Sequence, residues 1–121
     1  MEALPVYFPV GLGHKGVVRL EAPYLTFELL ERSWRSFGKK QVREVRLPLS
    51  EIVDAKFKPG ILDAHLDLHV RSINAMTEIP YRTPGLIELR FAREFREAAR
   101  QLSTSLSLVL SERQLGDLDR E

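Results

Sequence analysis

Hydrophobic and polar residues alternate along much of the chain, most clearly in residues 24–31, 41–48 and 62–71. A period of two places the apolar side chains on one face of a half-buried β-strand. Shorter runs of the same kind lie between and after these segments. The predicted strands begin near residues 14, 24, 41, 52, 62, 75 and 86. No helical crossover separates any pair of runs, so the pattern predicts about seven antiparallel strands.

Alternation also assigns the inner face of two predicted strands residue by residue. In the strand that begins near residue 52, the inner residues are Val53, Ala55 and Phe57. In the strand that begins near residue 62, the inner residues are Leu62, Ala64, Leu66, Leu68 and Val70. Residues 75–79 are predicted to form a further short strand.

A different period begins after residue 91. Residues 92–110 carry apolar side chains three and four positions apart, among them Phe95, Leu102 and Leu106. This spacing predicts an amphipathic helix with one face against the strands. Burial of each large apolar side chain contributes about 2 kcal/mol, whereas an exposed ion pair contributes about 0.3 kcal/mol. Docking on the strands therefore determines where this helix lies.

The two ends of the chain differ from the middle. Residues 1–13 contain two prolines and two glycines around Val6-Tyr7-Phe8, and we expect a tethered arm or a short edge strand. Residues 113–121 are polar, and we expect a flexible tail, with Gly116 suited to end the helix. A chain of 121 residues suits one domain, which we assign to residues 14–112.

The amino-acid composition mainly excludes certain kinds of functional site, targeting segment and partner. The chain has no cysteine, so disulfides, thiolate catalysis and cysteine metal sites are excluded, and a reducing compartment is permitted. The start of the chain has no basic segment of a signal peptide, and no apolar run approaches the roughly 20 residues of a membrane helix. The net charge of +1 argues against a nucleic-acid partner. We expect a cytoplasmic protein without a cofactor.

Two stretches carry a family resemblance. Residues 45–52 look like the strand and turn that precede the fourth strand of bacterial pleckstrin-homology-like (PH-like, or GRAM-like) domains, and residues 85–102 look like their last strand and helix. With the strand count, the chain resembles such a domain. The resemblance implies a mainly β fold, in which two packed sheets form a barrel of about seven antiparallel strands capped by the C-terminal amphipathic helix. Many eukaryotic members carry a tryptophan in this helix, which this chain lacks, and we expect Phe95 or Leu102 to fill that space.

The same resemblance raises phosphoinositide binding. Such sites use lysine and arginine side chains in the loop after the first strand, where they donate charge-assisted hydrogen bonds to phosphates. The corresponding loop here, residues 21–24, contains no cation, and the loop before the last strand offers only Arg82. We therefore do not expect specific phosphoinositide binding.

Cations and aromatic residues are concentrated in residues 32–43. This segment has five basic residues and no acidic residue in a chain of net charge +1. The candidate partner- or lipid-binding residues are Arg32, Trp34, Arg35, Phe37, Lys39, Lys40 and Arg43. Aromatic residues among cations suit stacking on nucleic-acid bases, insertion at an anionic membrane surface, or a protein partner. The alternative is a solvated hairpin loop whose aromatic residues fold back on the strands.

One predicted strand places Asp63, His65, Asp67 and His69 on its outer face. Successive residues on a face lie roughly 6.6–7 Å apart, so neighbours rather than both histidines would share an ion. Histidine and carboxylate ligands suit Zn²⁺, with a third ligand from another strand. The weak metal candidates are His65, Asp67 and His69, and the alternative is an ordinary polar face.

The second half of the predicted helix has more apolar residues than one narrow stripe needs. We single out Leu106, Leu108 and Leu110, and expect Leu108 to point away from the docked face. Either a wide groove takes the helix end, or a second apolar face binds another copy of the chain.

No catalytic signature accompanies these features. Ser50 lies beside Glu51 without a nucleophile elbow, and the histidines form no ordered triad motif. We expect a non-catalytic binding or scaffold domain that acts through protein contacts, self-association being one form of them. The alternatives are peripheral binding to anionic membranes through residues 32–43 and a metal-dependent activity on residues 63–69. No pattern indicates a small-molecule substrate.

Overall fold

The computed structural model describes residues 2–11, 13–32 and 40–119, except the side chains of residues 31, 32, 40 and 117–119. The strands are β1 (Leu4–Phe8), β2 (His14–Glu21), β3 (Tyr24–Arg32), β4 (Lys40–Pro48), β5 (Ile52–Pro59), β6 (Asp63–Val70) and β7 (Leu86–Ala92). The helix α1 spans Arg96–Asp119. Short 3-10 helices span Leu49–Glu51, Ile73–Met76 and Arg93–Phe95.

The strands form one antiparallel sheet with the order β4-β3-β2-β1-β7-β6-β5. The predicted fold class, mainly β with one C-terminal helix, is confirmed. The predicted closure into a barrel is wrong, because β4 and β5 are the two edges of the described sheet. Pro48 and Pro59 each end an edge strand, and a proline has no N–H to donate to a closing strand. A register shift between Ile52 and Asp54 also disrupts the β5 edge.

The first strand lies inside the sheet rather than at its edge. Leu4, Val6 and Phe8 are buried, while the residues between them face outward. β1 pairs along its length with β2, and it meets β7 at one register pair, Tyr7 with Arg90. The expectation of an arm or an edge strand is therefore wrong, because burial of three apolar side chains holds this segment in the sheet.

The prediction of a strand over residues 75–79 is also wrong. This part of the chain contains the 3-10 helix Ile73–Met76, and the Ser72 hydroxyl accepts a hydrogen bond from the Asn74 N–H at 3.2 Å. Such local bonds favour a turn over a ladder. Met76 and Ile79 still reach the core. With β1 counted in its place, the described part of the chain still contains seven strands.

Two inner-face assignments fail for local reasons. Val53 is 42% exposed and Ile52 only 3%, because the register shift at this point moves the start of β5 by one residue. Leu62 is 83% exposed, because the Gly60 N–H donates to the Asp63 carbonyl at 2.8 Å and closes a turn before the ladder begins. The other predicted inner residues of β6 are buried.

The helix α1 packs mainly on β5 and also touches β6 and β7. Its buried stripe consists of Ala99, Leu102, Leu106 and Leu110. The docked amphipathic helix predicted from the spacing is thus confirmed. Its bounds differ, because β7 continues to Ala92 and α1 continues to Asp119. Residues 113–119, expected in the tail, are helical.

Candidate interaction surface

One row of outward-facing residues crosses the whole described sheet, on the face opposite the core. From β4 to β5 this outer row consists of Val42, Leu30, Lys15, Tyr7, Arg90, His65 and Lys58. Directly opposite residues in antiparallel strands share a face, so neighbours in the row are close enough to interact. The two halves of the row differ in chemistry.

The half formed by β6 and β7 is a network of paired charges. Arg90 donates to Glu88 at 2.9 Å and to Asp67 at 3.3 Å, and its side chain is only 12% exposed. Arg82 also donates to both carboxylate oxygens of Glu88. The hydrogen bonds from Arg82 lower the pKa of Glu88, against the opposing effect of burial. These charges neutralise one another within the chain.

A second cluster lies where β1, β6 and β7 meet. The Tyr7 hydroxyl donates to one oxygen of Asp63 at 2.7 Å, and His65 Nε2 lies 2.8 Å from the other. The hydrogen bond from Tyr7 lowers the pKa of Asp63, and the same bond raises the pKa of Tyr7. The cluster therefore ties β1 to β6 across the narrow junction between the halves of the sheet.

The residues considered as metal ligands have separate partners. His65 contacts Asp63, and His69 Nδ1 lies 2.5 Å from the Asp54 carboxylate. Asp67 faces two cations, Arg90 and, at 3.8 Å, Lys58. Within the part of the chain that the structure describes, no group of three or more His, Asp or Glu residues is arranged to hold a metal ion. The predicted ligands share a strand face, but the structure does not bring them together around one point.

The half of the row on β3 and β4 is apolar. Leu30 is 41% exposed and Val42, directly opposite on the next strand, is 60% exposed. We call these two residues the Leu30/Val42 pair. The preceding residue, Leu29, is 3% exposed in the core, so two consecutive leucines face opposite sides of β3. Alternation within residues 24–31 predicts that Leu29 faces inward and gives no reason to single out Leu30.

The predicted basic-aromatic residues lie beside this pair in the chain. Trp34, Arg35, Phe37 and Lys39 lie outside the described residues. Arg32 and Lys40 form the last register pair of β3 and β4, two positions beyond the Leu30/Val42 pair in the same ladder. The remaining candidate, Arg43, donates from Nη2 to the Glu78 carbonyl at 2.6 Å.

The predicted self-association residues separate into two groups. Leu106 is fully buried and Leu110 is 8% exposed, so the chain uses both in its own core. Leu108 is 60% exposed and points off the docked face, as expected. Leu115, which the sequence interpretation did not single out, is also exposed and lies on the same side of α1, seven positions later. Of the three predicted residues, only Leu108 is on the surface.

No helix in the described part of the chain combines the length and the hydropathy needed to cross a bilayer. Searches of protein-family models, curated proteins and solved structures found no match to this chain. The resemblance to PH-like domains therefore stays a prediction.

Proposed function

We propose that this chain is a non-catalytic binding domain that acts through protein contacts, on the outer face of β3 and β4. The observation that carries the proposal is the exposure of the Leu30/Val42 pair. We also propose a cytoplasmic location, with which a chain without cysteine is compatible.

The chemistry around the pair supports a protein partner. Protein interfaces have an apolar centre, and aromatic residues and arginine are enriched in them. The Leu30/Val42 pair would supply the centre, and Lys15 lies opposite Leu30 on β2. Both apolar residues are held in a continuous ladder, so little conformational entropy is lost when they bind. On the same face of β3 and β4, Glu28 pairs with Arg19 and Glu44 with Arg46, so the proposed apolar centre is confined to the Leu30/Val42 end of these strands.

Binding through the sheet face is favoured over binding through a sheet edge. The edge strand β4 carries Arg43, Glu44 and Arg46, and β5 carries two lysines and a terminal proline. Charged residues, prolines and bulges on edge strands oppose pairing with a foreign strand. The proposed contact is therefore made by side chains of the outer face.

A cross-linking experiment tests the proposal. A photoreactive phenylalanine derivative is placed at position 42, or at position 53 as a matched control, because Val53 is similarly exposed on the opposite edge. The protein cross-linked from position 42 is identified and purified, and its affinity is measured by calorimetry. We expect Leu30→Ser/Val42→Thr to weaken binding by about tenfold or more and Val53→Thr to leave it unchanged.

Equal cross-linking from both positions, or unaltered affinity of the double variant, would contradict the proposal. A cross-link to a second copy of the chain would identify the contact as self-association.

A second candidate function is peripheral binding to anionic membranes, which the tip of the β5–β6 hairpin favours. Ile61 is 87% exposed and Leu62 is 83% exposed. Arg96 Nη2 donates to the Ile61 carbonyl at 3.2 Å, which keeps a cation beside the tip. Exposed aliphatic side chains next to cations bind the interface of an anionic bilayer by apolar burial and charge attraction.

Sedimentation with vesicles of phosphatidylcholine and phosphatidylserine tests the membrane candidate. Binding is expected to weaken at high salt and to be lost in Ile61→Ser/Leu62→Ser. The variant Lys39→Glu/Lys40→Glu separates the tip from the basic-aromatic segment, since loss of binding in that variant assigns the contact to residues 32–43. Absence of sedimentation at low salt rules out the membrane candidate and leaves the protein-contact proposal untouched.

A further inference from the structure

An open groove of about 460 Å³ lies where the C-terminal part of α1 meets the start of β5. Its lining residues are Leu49, Ser50, Ile52, Arg71, Leu110, Arg113, Gln114 and Gly116. Among the described residues, the lining contains two arginines and no carboxylate. The groove lies near Pro48, at the opposite end of β4 from the Leu30/Val42 pair.

Both arginines line the groove without an acidic partner among the described side chains, and Arg71 is also anchored by hydrogen bonds. Arg71 is anchored by its backbone N–H, which donates to the Glu51 carbonyl at 2.8 Å, and by Nε, which donates to the Ser50 carbonyl at 3.1 Å. Within the described residues, neither Arg71 nor Arg113 forms an ion pair. Other arginines, such as Arg82 and Arg90, pair with carboxylates. The terminal nitrogens of Arg71 are therefore available to an oxyanion from outside the chain.

Apolar residues form the other part of the lining. Leu49, Ile52 and Leu110 are 1%, 3% and 8% exposed, so they form a fixed floor. The Ser50 hydroxyl and the Gln114 amide add neutral hydrogen-bonding groups. Concave sites with an apolar lining and a few polar groups are typical of small-molecule binding.

We propose that this groove binds a small amphipathic anion. Its carboxylate or phosphate group is held by Arg71 and Arg113, and its aliphatic part lies against the floor formed by Leu49, Ile52 and Leu110. Guanidinium groups suit this role because they stay charged and can donate two parallel hydrogen bonds to an oxyanion. The proposal does not depend on the protein-contact surface.

Four probes separate the contributions of charge and apolar contact. The full chain is titrated with octanoate, octyl phosphate, octanol and acetate, and binding is followed by calorimetry and by amide chemical shifts. At least one of the two amphipathic anions is expected to bind with shifts centred on the groove, and which of them binds more tightly identifies the preferred head group. Octanol lacks the charge and acetate lacks the chain, so each is expected to bind at least about tenfold more weakly.

Variants of the arginines test the assignment of the charge. Arg71→Gln and Arg113→Gln are each expected to weaken binding by about tenfold or more. Arg93→Gln is the matched control, since it removes the same charge before the other end of α1, and its affinity is expected to stay at the wild-type value. Leu30→Ser/Val42→Thr is also expected to bind the probe normally, which keeps this test separate from that of the proposed function.

Gly116 lines the groove, so a larger side chain at this position is expected to narrow the groove without unfolding the chain. A side chain added there meets no atom within 4 Å, and leucine is a better helix former than glycine. Gly116→Leu is therefore expected to melt no lower than the wild type and to lose probe binding. The proposal is overturned if neither amphipathic anion shifts the groove residues, or if Gly116→Leu or both arginine variants bind as the wild type does.

Discussion

Leu106 lies on the face of α1 that packs against the sheet, and its side chain is completely buried. Leu106→Ala removes three carbon atoms from a closed core and leaves a cavity. In a fully buried position this change costs about 2.7–5 kcal/mol, from lost transfer free energy plus the cavity. Small domains have unfolding free energies of about 5–15 kcal/mol, so the variant is expected to lose roughly a fifth or more of the total. The loss measures how much of the fold depends on helix docking.

Leu108→Ala is the matched control, because it makes the same chemical change two positions later on the same helix. Leu108 is 60% exposed, so its truncation is expected to change stability by no more than about 0.5 kcal/mol. Urea unfolding followed by far-UV circular dichroism gives the free energy and the m-value of each variant, and the m-values are expected to match. Similar losses for the two variants, or a loss below about 1 kcal/mol for Leu106→Ala, would refute the docking of α1 by this face.

Three further predictions concern Glu88, Tyr7 and two glycines. The pKa of Glu88 is lowered in the folded chain, so its stabilising contribution is complete above about pH 4.5 and is lost as the pH falls through the lower folded pKa. Glu88→Gln should therefore flatten the acid limb of a urea-stability curve measured from pH 7 downward. Tyr7→Phe removes a hydrogen bond from Asp63, so the pKa of that carboxyl should rise in an NMR titration. Gly16→Ala places a Cβ against a backbone carbonyl of β3 and should lower the melting temperature, whereas Gly116→Ala adds about 1 kcal/mol of helix stability.

A specific experimental result would contradict each of these three predictions. An acid limb of Glu88→Gln as steep as that of the wild type would show that this carboxylate does not carry the pH dependence. An unchanged Asp63 midpoint in Tyr7→Phe would exclude the hydrogen bond as the cause of the lowered pKa. Equal melting temperatures for Gly16→Ala and the wild type would show that β2 and β3 lie further apart than the register implies.

The sequence predicts the fold class because its signals are local. The alternation in β3, β4 and β6 and the three-and-four spacing in α1 each operate within one element, and burial of one face follows from them directly. Position within the sheet is not local. The partner of Tyr7 on β7 is Arg90, and no pattern within residues 4–8 predicts that pairing. For the same reason, alternation cannot decide whether the edge strands close on each other.

Single-residue irregularities account for the wrong face assignments. The register shift at Val53 and the turn before Asp63 each depend on backbone hydrogen bonds rather than on hydrophobic pattern. The candidate surfaces are harder still to predict. Leu30 is apolar but lies on the face of the sheet opposite the core. Arg71 and Arg113 line the same groove because α1 continues past residue 110 and packs against the sheet. Neither arrangement has a signature at short range in the sequence.

β1 lies between β2 and β7 in the sheet, so the order in which these two neighbours are synthesised affects how the chain folds. β1 leaves the ribosome early and can pair with β2 at once, because their contacts are close in sequence. Its other side stays open until β7, some eighty residues later, has been made. During that interval an incomplete sheet presents an unpaired strand to its surroundings, a situation that promotes aggregation. Pro5 lies in the middle of that strand. Because proline has no N–H to donate, β1 is a poorer template for a foreign strand until β7 pairs with it.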